Sequence, residues 1–191
     1  MPDRDVETVR DLVFYQYAKL IARSAFGVTD GTAVKREHYG FVKMTFRRLK
    51  NGEMNWSDIL REDRQLLESE QACAYCGNRD DLTWEHVVPR SLFVHRDCPE
   101  CDRLQGIHNH VLCCRRCNSK KGTKGLYTFF KDEHAGERRF YDFIPSLVEK
   151  KYLKTVYCCH ECAGTLLAKD LDADGRLTIL DLDEVVKRHV R

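Results

Sequence analysis

The chain has almost no net charge, no apolar run long enough to cross a membrane and no leader pattern, and each absence closes a class of function. Its 32 lysines and arginines against 30 acidic residues leave a formal charge of +2, so attraction to nucleic acid must come from local patches and not from a field spread over the molecule. No stretch approaches the roughly 18 consecutive apolar residues of a membrane span, and Asp3 and Asp5 stand where a secretory leader would be basic and then apolar. A soluble cytoplasmic protein is the expectation. Internal repeats and low-complexity tracts are also missing, and 191 residues suffice for one sizeable core with helical additions.

Cysteine, by contrast, is plentiful. Eight of the ten fall into four C-x-x-C pairs: Cys73/Cys76, Cys98/Cys101, Cys114/Cys117 and Cys159/Cys162. No βαβ texture surrounds any pair, so a redox dithiol is disfavoured, and metal binding in a reducing compartment fits better than a secreted disulfide framework. Two such knuckles complete one tetrahedron of thiolates around zinc. Spacing alone permits three ways of joining four pairs into two sites. Cys113 and Cys158, each directly before a knuckle cysteine, read as small buried hydrophobes, with ligand substitution, such as Cys158 for Cys159, as the alternative.

Residues 1–70 read as a helical region. Val6, Val9, Val13, Tyr17 and Leu20 recur at spacings of three and four on one stripe, after an aspartate cap. Gly27 to Gly31 breaks this helix. A second begins near Thr32, with Val42, Phe46 and Leu49 on one face and Lys43, Arg47 and Lys50 displaced around the cylinder, where they suit phosphates. A third starts at Ser57 and carries Leu60, Leu66 and Leu67. From Ala72 to Gly125 the texture changes to short β-prone runs, turns and cysteines. Beyond, "LYTFFKD" and "FYDFIPSLVEKKYLKTVY" look helical, with Pro145 as a break or first-turn residue.

Three ordered blocks carry the chemistry: Cys73-Ala-Tyr-Cys76-Gly77; Leu82-Thr-Trp-Glu85-His86-Val-Val-Pro89; and Asn109-His-Val-Leu-Cys-Cys114-Arg-Arg-Cys117-Asn118-Ser-Lys-Lys121-Gly122. Together they resemble the HNH endonuclease family in its four-cysteine form, over residues 73–122. The resemblance implies an α+β fold with a ββα-metal (His-Me finger) nuclease core in residues 71–130, stapled by zinc knuckles. Residues 1–70 and 131–191 flank it with helices. It joins Cys73, Cys76, Cys114 and Cys117 at the first zinc. It puts His86 at the general base, Glu85 and Asn118 on the catalytic metal, and Asn109 where an asparagine braces the histidine's loop. In the literal His108-Asn109-His110, only the central letter belongs to the motif.

The residue types suit that role on their own account. A carboxylate and an amide oxygen are hard ligands, matched to Mg²⁺ or Mn²⁺ rather than to zinc. An imidazole with an ordinary pKa of about 6.5 can be neutral in the cell and take a proton from water. Neighbours on a strand face opposite ways, so Glu85 and His86 must have different tasks, with a kink before Pro89 bringing both to one centre.

Arg115, Arg116, Lys120 and Lys121 lie in a stretch with no acid from Arg103 to Lys131, a surface fit for a phosphate backbone. The expected partner is DNA, taken as duplex, with pairing of two copies left open. A non-catalytic zinc-knuckle module binding nucleic acid through the same surface is the alternative, and a structural zinc protein docking to another protein is a third.

Two features depart from the family pattern. Many relatives have aspartate at the position of Glu85, and the interval from His86 to Asn109 is longer than usual and contains Cys98 and Cys101. Their natural partner is Cys159/Cys162 in "CCHEC", with His160 as a stand-in ligand, forming a second zinc site that clamps the C-terminal helices. Near the end, Asp170, Asp172, Asp174 and Asp181 fit a calcium loop. The alternation after Gly175 reads instead as a strand closing a β-hairpin, which is the reading taken.

Overall fold

The structure is a computed structural model that describes residues 4–27, 36–56, 71–90, 109–134 and 140–186. The third helix foreseen at 57–70 and the Cys98/Cys101 pair lie outside the described residues. In chain order the elements are α1 (Val9–Phe26), α2 (Arg36–Lys50), β1 (Leu82–His86), β2 (His110–Cys114), α3 (Arg115–Lys121), α4 (Leu126–His134), α5 (Phe140–Phe143), α6 (Ser146–Cys162) and a 3₁₀ helix (Ile179–Val186). The fold is therefore mixed α+β, and the described residues form one small antiparallel sheet of two strands. Among the described residues no helix is long and apolar enough to cross a membrane.

α1 forms where the three-and-four spacing placed it, but its cap is Thr8 and not an aspartate. The Thr8 side chain accepts from Asp11 N at 3.2 Å, and the Asp11 carboxylate reaches back to Glu7 N at 3.2 Å, so each end of this box satisfies an otherwise orphaned donor. Gly27, in the left-handed region at φ +59°, ends the helix. Val9, Val13, Tyr17 and Leu20 are buried, as is Phe46 of α2. α1 packs against α2, α6 and the 3₁₀ helix.

The C-terminal segment departs from the expected hairpin. After Gly175 the chain winds into the 3₁₀ helix Ile179–Val186, because Leu182 is drawn fully into the core and Asp183 has a partner to meet. The buried Asp183 carboxylate accepts from Thr128 N at 2.6 Å in the first turn of α4 and also contacts the Tyr152 hydroxyl. It thus caps α4 from a distance of 55 residues. Gly125 makes the approach possible: a Cβ there would lie 2.2 Å from Asp183 Cγ.

Candidate metal centre and adjoining histidine site

The first knuckle turns through Gly77, at φ +73°, with Gly77 N donating to Cys73 O at 2.9 Å. Ala74 N donates to Leu112 O at 2.8 Å, which ties this knuckle to β2. Tyr75, between the two cysteines, is buried and packs edge-on against Phe129 of α4, with ring centroids 5.2 Å apart. Cys114 ends β2 and precedes α3, whose first turn carries Cys117. The four sulfurs lie within 4.8 Å of one another. A zinc tetrahedron with bonds of about 2.3 Å has sulfur–sulfur edges of about 3.8 Å, and Cys76 and Cys114 stand 3.7 Å apart. The cluster can hold one zinc ion.

Cys113 does more than fill space. Its buried sulfur lies 3.9 Å from the Cys73 sulfur, and its thiol donates to Cys114 O at 3.3 Å.

β1 and β2 pair with Trp84 opposite Leu112, Glu85 opposite Val111 and His86 opposite His110. Alternation then divides the two chemical groups. Trp84 is exposed and His86 half-buried on one face, while Glu85 is buried on the other, against α3.

Asn109, wholly buried, grips the segment after His86. Its Oδ1 accepts from Val88 N and its Nδ2 donates to Val88 O, both at 2.7 Å, while Val87 N donates to Asn109 O at 2.8 Å.

Glu85 meets Lys121. The lysine Nζ lies 2.7 Å from Glu85 Oε1 and donates to His86 O at 3.0 Å, with its side chain entirely out of solvent. Burial pushes Glu85 up from the ordinary carboxylate range while the Lys121 ammonium opposes it; burial likewise pulls Lys121 down and Glu85 opposes that. Lys121 is therefore not part of a phosphate-binding surface, as the sequence reading had it. One signal was available: Cys114, Cys117 and Lys121 fall at i, i+3 and i+7, a single stripe on α3 that faces the core. Asn118 sits one turn before Lys121, adjoining that stripe, and is half-buried.

On the opposite face His86 Nε2 lies 2.8 Å from His110 Nε2. Burial first, and then the charges of His110, Arg90 and Lys121, draw His86 down to about 4. His110 is lowered by burial and by Lys151, whose Nζ donates to His110 O at 2.6 Å. Sequence reasoning passed over His110, because the strand register that makes it a neighbour of His86 is not written in the letters.

Arg115, Arg116 and Lys120 are exposed on α3. Acids distant in sequence come to this surface: Arg115 pairs with Asp81 at 2.8 Å, Lys120 with Glu133, and Lys124 with Asp132 at 2.7 Å. On α2, Lys43 is exposed, Arg47 reaches Asp5 at 3.3 Å, and Lys50 reaches the buried Asp11 at 3.1 Å.

Cys159 and Cys162 stand one turn apart on the last turns of α6 instead of in a knuckle turn, with Cys159 in the core. His160 Nδ1 lies 2.8 Å from Thr165 Oγ1 and its Nε2 3.2 Å from Leu182 O. The Asp170, Asp172 and Asp174 carboxylates cluster within 4.8 Å. They accept from the backbone N–H groups of Ala173, Gly175, Asp174 and Arg176, and Asp181 accepts from those of Leu171 and Thr178. These acids build the loop.

Compared with family models, curated proteins and solved structures, the chain matches none.

Proposed function

We propose that the protein is a metal-dependent endonuclease of the ββα-metal type, hydrolysing DNA phosphodiesters with His86 as general base. What carries this reading is the Asn109 clamp on Val88, two residues beyond a half-buried histidine that burial keeps neutral at cellular pH. A buried asparagine spending both ends of its amide on one residue fixes the backbone that aims that imidazole.

A carboxylate and an amide oxygen are donor types that suit a hard cation. In this reading Glu85 on β1 and Asn118 on α3, two elements that pack together, would hold the ion; that requires Lys121 to release Glu85 and His86, which lies on the other face of β1, to turn toward the same centre. Mg²⁺ or Mn²⁺ held there would stabilise the charge that develops on the phosphate and the leaving alkoxide. His86 takes the proton of the attacking water, the new P–O bond forms, and the bond to the 3′ oxygen breaks, that oxygen taking a proton from solvent water. The products are a 5′-phosphate and a 3′-hydroxyl. Arg116, with its exposed neighbours on α3, would track the phosphate backbone.

Plasmid nicking with Mg²⁺ or Mn²⁺ tests this, comparing the wild type with His86→Ala at matched zinc content. Cleavage by the wild type and a loss of at least about a hundredfold in the variant is expected. Equal rates remove the mechanism. Absence of cleavage by both, together with salt-dependent DNA binding, favours the second reading, a non-catalytic zinc-knuckle module; that reading draws on the same exposed arginines and the four-cysteine cluster.

A further inference from the structure

His110 faces His86 across the sheet, ring centroids 4.2 Å apart at 74°, with the two Nε2 atoms 2.8 Å apart. Two imidazole nitrogens bound to one tetrahedral zinc stand roughly 3.3 Å apart, given bonds of about 2.05 Å. The observed spacing is that of an N–H···N hydrogen bond. Such a bond requires one ring to present Nε2–H and the other a bare Nε2, so it fixes a tautomer on each ring.

Only one of the two arrangements is compatible with a base. If His110 donates, His86 carries its proton on Nδ1, its Nε2 lone pair is spent on the bond, and it has no site left for another proton. If His86 donates from Nε2, its Nδ1 is bare and can accept. The rotation of the His86 ring is set at the same time, because an imidazole tied at Nε2 swings its Nδ1 through a small arc. The backbone of His110 is itself held by Lys151 Nζ at 2.6 Å, so the acceptor is anchored.

We propose that His110 is a positioning residue that accepts the Nε2–H of His86 and leaves His86 Nδ1 as the proton-accepting nitrogen. This rests on the reading of His86 as a general base, and deepens it. The relationship has the form by which a third group orients a histidine base in hydrolases, here supplied by a second histidine on the neighbouring strand.

The test uses the full chain with its zinc. Long-range proton–nitrogen NMR at neutral pH, assigned with His86→Ala and His110→Ala, reads the tautomers directly. The Nε2–H form is expected for His86 and the Nδ1–H form for His110, with His86 reverting to a mixture in His110→Phe. In nicking assays, His110→Phe should lower kcat by about ten- to a hundredfold with KM little changed. His110→Gln, whose amide oxygen is again an acceptor, should restore most of it. Zinc content and circular dichroism equal to wild type certify each variant's fold.

A wild-type His86 protonated on Nδ1 overturns the proposal, as does undiminished kcat in His110→Phe. If the wild type cleaves nothing, the nuclease reading fails on its own, and the NMR readout still decides whether His110 holds His86.

Discussion

Lys121 Nζ lies 2.7 Å from Glu85 Oε1, and both side chains are withdrawn from water. A buried ion pair of this kind is costly to break from one side, because the abandoned partner keeps its desolvation without its counter-charge. Lys121→Met should therefore lower unfolding free energy by about 3–5 kcal/mol, and Lys121→Met with Glu85→Gln should lose less than the single variant. Urea unfolding of the four members of this cycle measures it. A double variant no better than Lys121→Met would mean that the pair is not coupled.

The four-cysteine cluster makes a prediction about metal content. Cys117→Ser should remove one zinc per chain, detected by elemental analysis, and lower the melting temperature, since the knuckles join Cys73 and Cys76 to the start of α3. Cys113→Ser should retain that zinc, because its thiol adjoins Cys73 from outside the cluster of four. Zinc loss in the second variant but not in the first would reverse the ligand assignment.

Asn109 offers a comparison of two substitutions. Asn109→Ala leaves the buried N–H and carbonyl of Val88 without the partners they now have at 2.7 Å, a loss of about 2–3 kcal/mol. Asn109→Asp keeps the acceptor for Val88 N but turns an oxygen toward Val88 O, so it should be no milder. Equal stability of wild type and Asn109→Ala in denaturant would show that the clamp is slack.

Gly125→Ala would insert a methyl 2.2 Å from Asp183 Cγ. Displacing that carboxylate strips α4 of its cap and overfills a packed site, at about 1–3 kcal/mol. Thermal unfolding is the measurement, and an unchanged midpoint would place Asp183 elsewhere.

Asp183 also predicts a pH dependence. Burial raises its carboxyl to about 6, against the opposing hydrogen bonds from Tyr152 and Thr128. The folded protein then holds this proton where the unfolded chain, with an ordinary aspartate pKa, has released it. This contribution to stability is full below about pH 4 and is lost as pH rises through about 6, on the order of 3 kcal/mol in all. Asp183→Asn should flatten the curve of stability against pH in that window. A slope that persists in the variant would assign it to another group.

Much of the helical frame was legible. The stripe of α1 and its glycine end follow from side-chain spacing and from backbone freedom at Gly27, both local properties. The 3₁₀ helix was not: "GRLTILDL" alternates like a strand, and only the pull of the core on Leu182 and of α4 on Asp183 decides otherwise. The stretch without acids around α3 is likewise a property of the chain alone, since Asp81, Asp132 and Glu133 close on its cations in space.

By itself the sequence determined which groups are available and in what order: the pairs Cys73/Cys76 and Cys114/Cys117 enclose Glu85, His86 and Asn109, and Asn118 follows directly. The tertiary structure alone decided which of them touch. Residues 87–109 separate β1 from β2, so no local rule sets their register, and a slip of one residue would turn His110 to the other face. It is packing against α3 that puts Glu85 on Lys121 and leaves His86 to His110, because a pleated strand offers consecutive side chains to opposite sides.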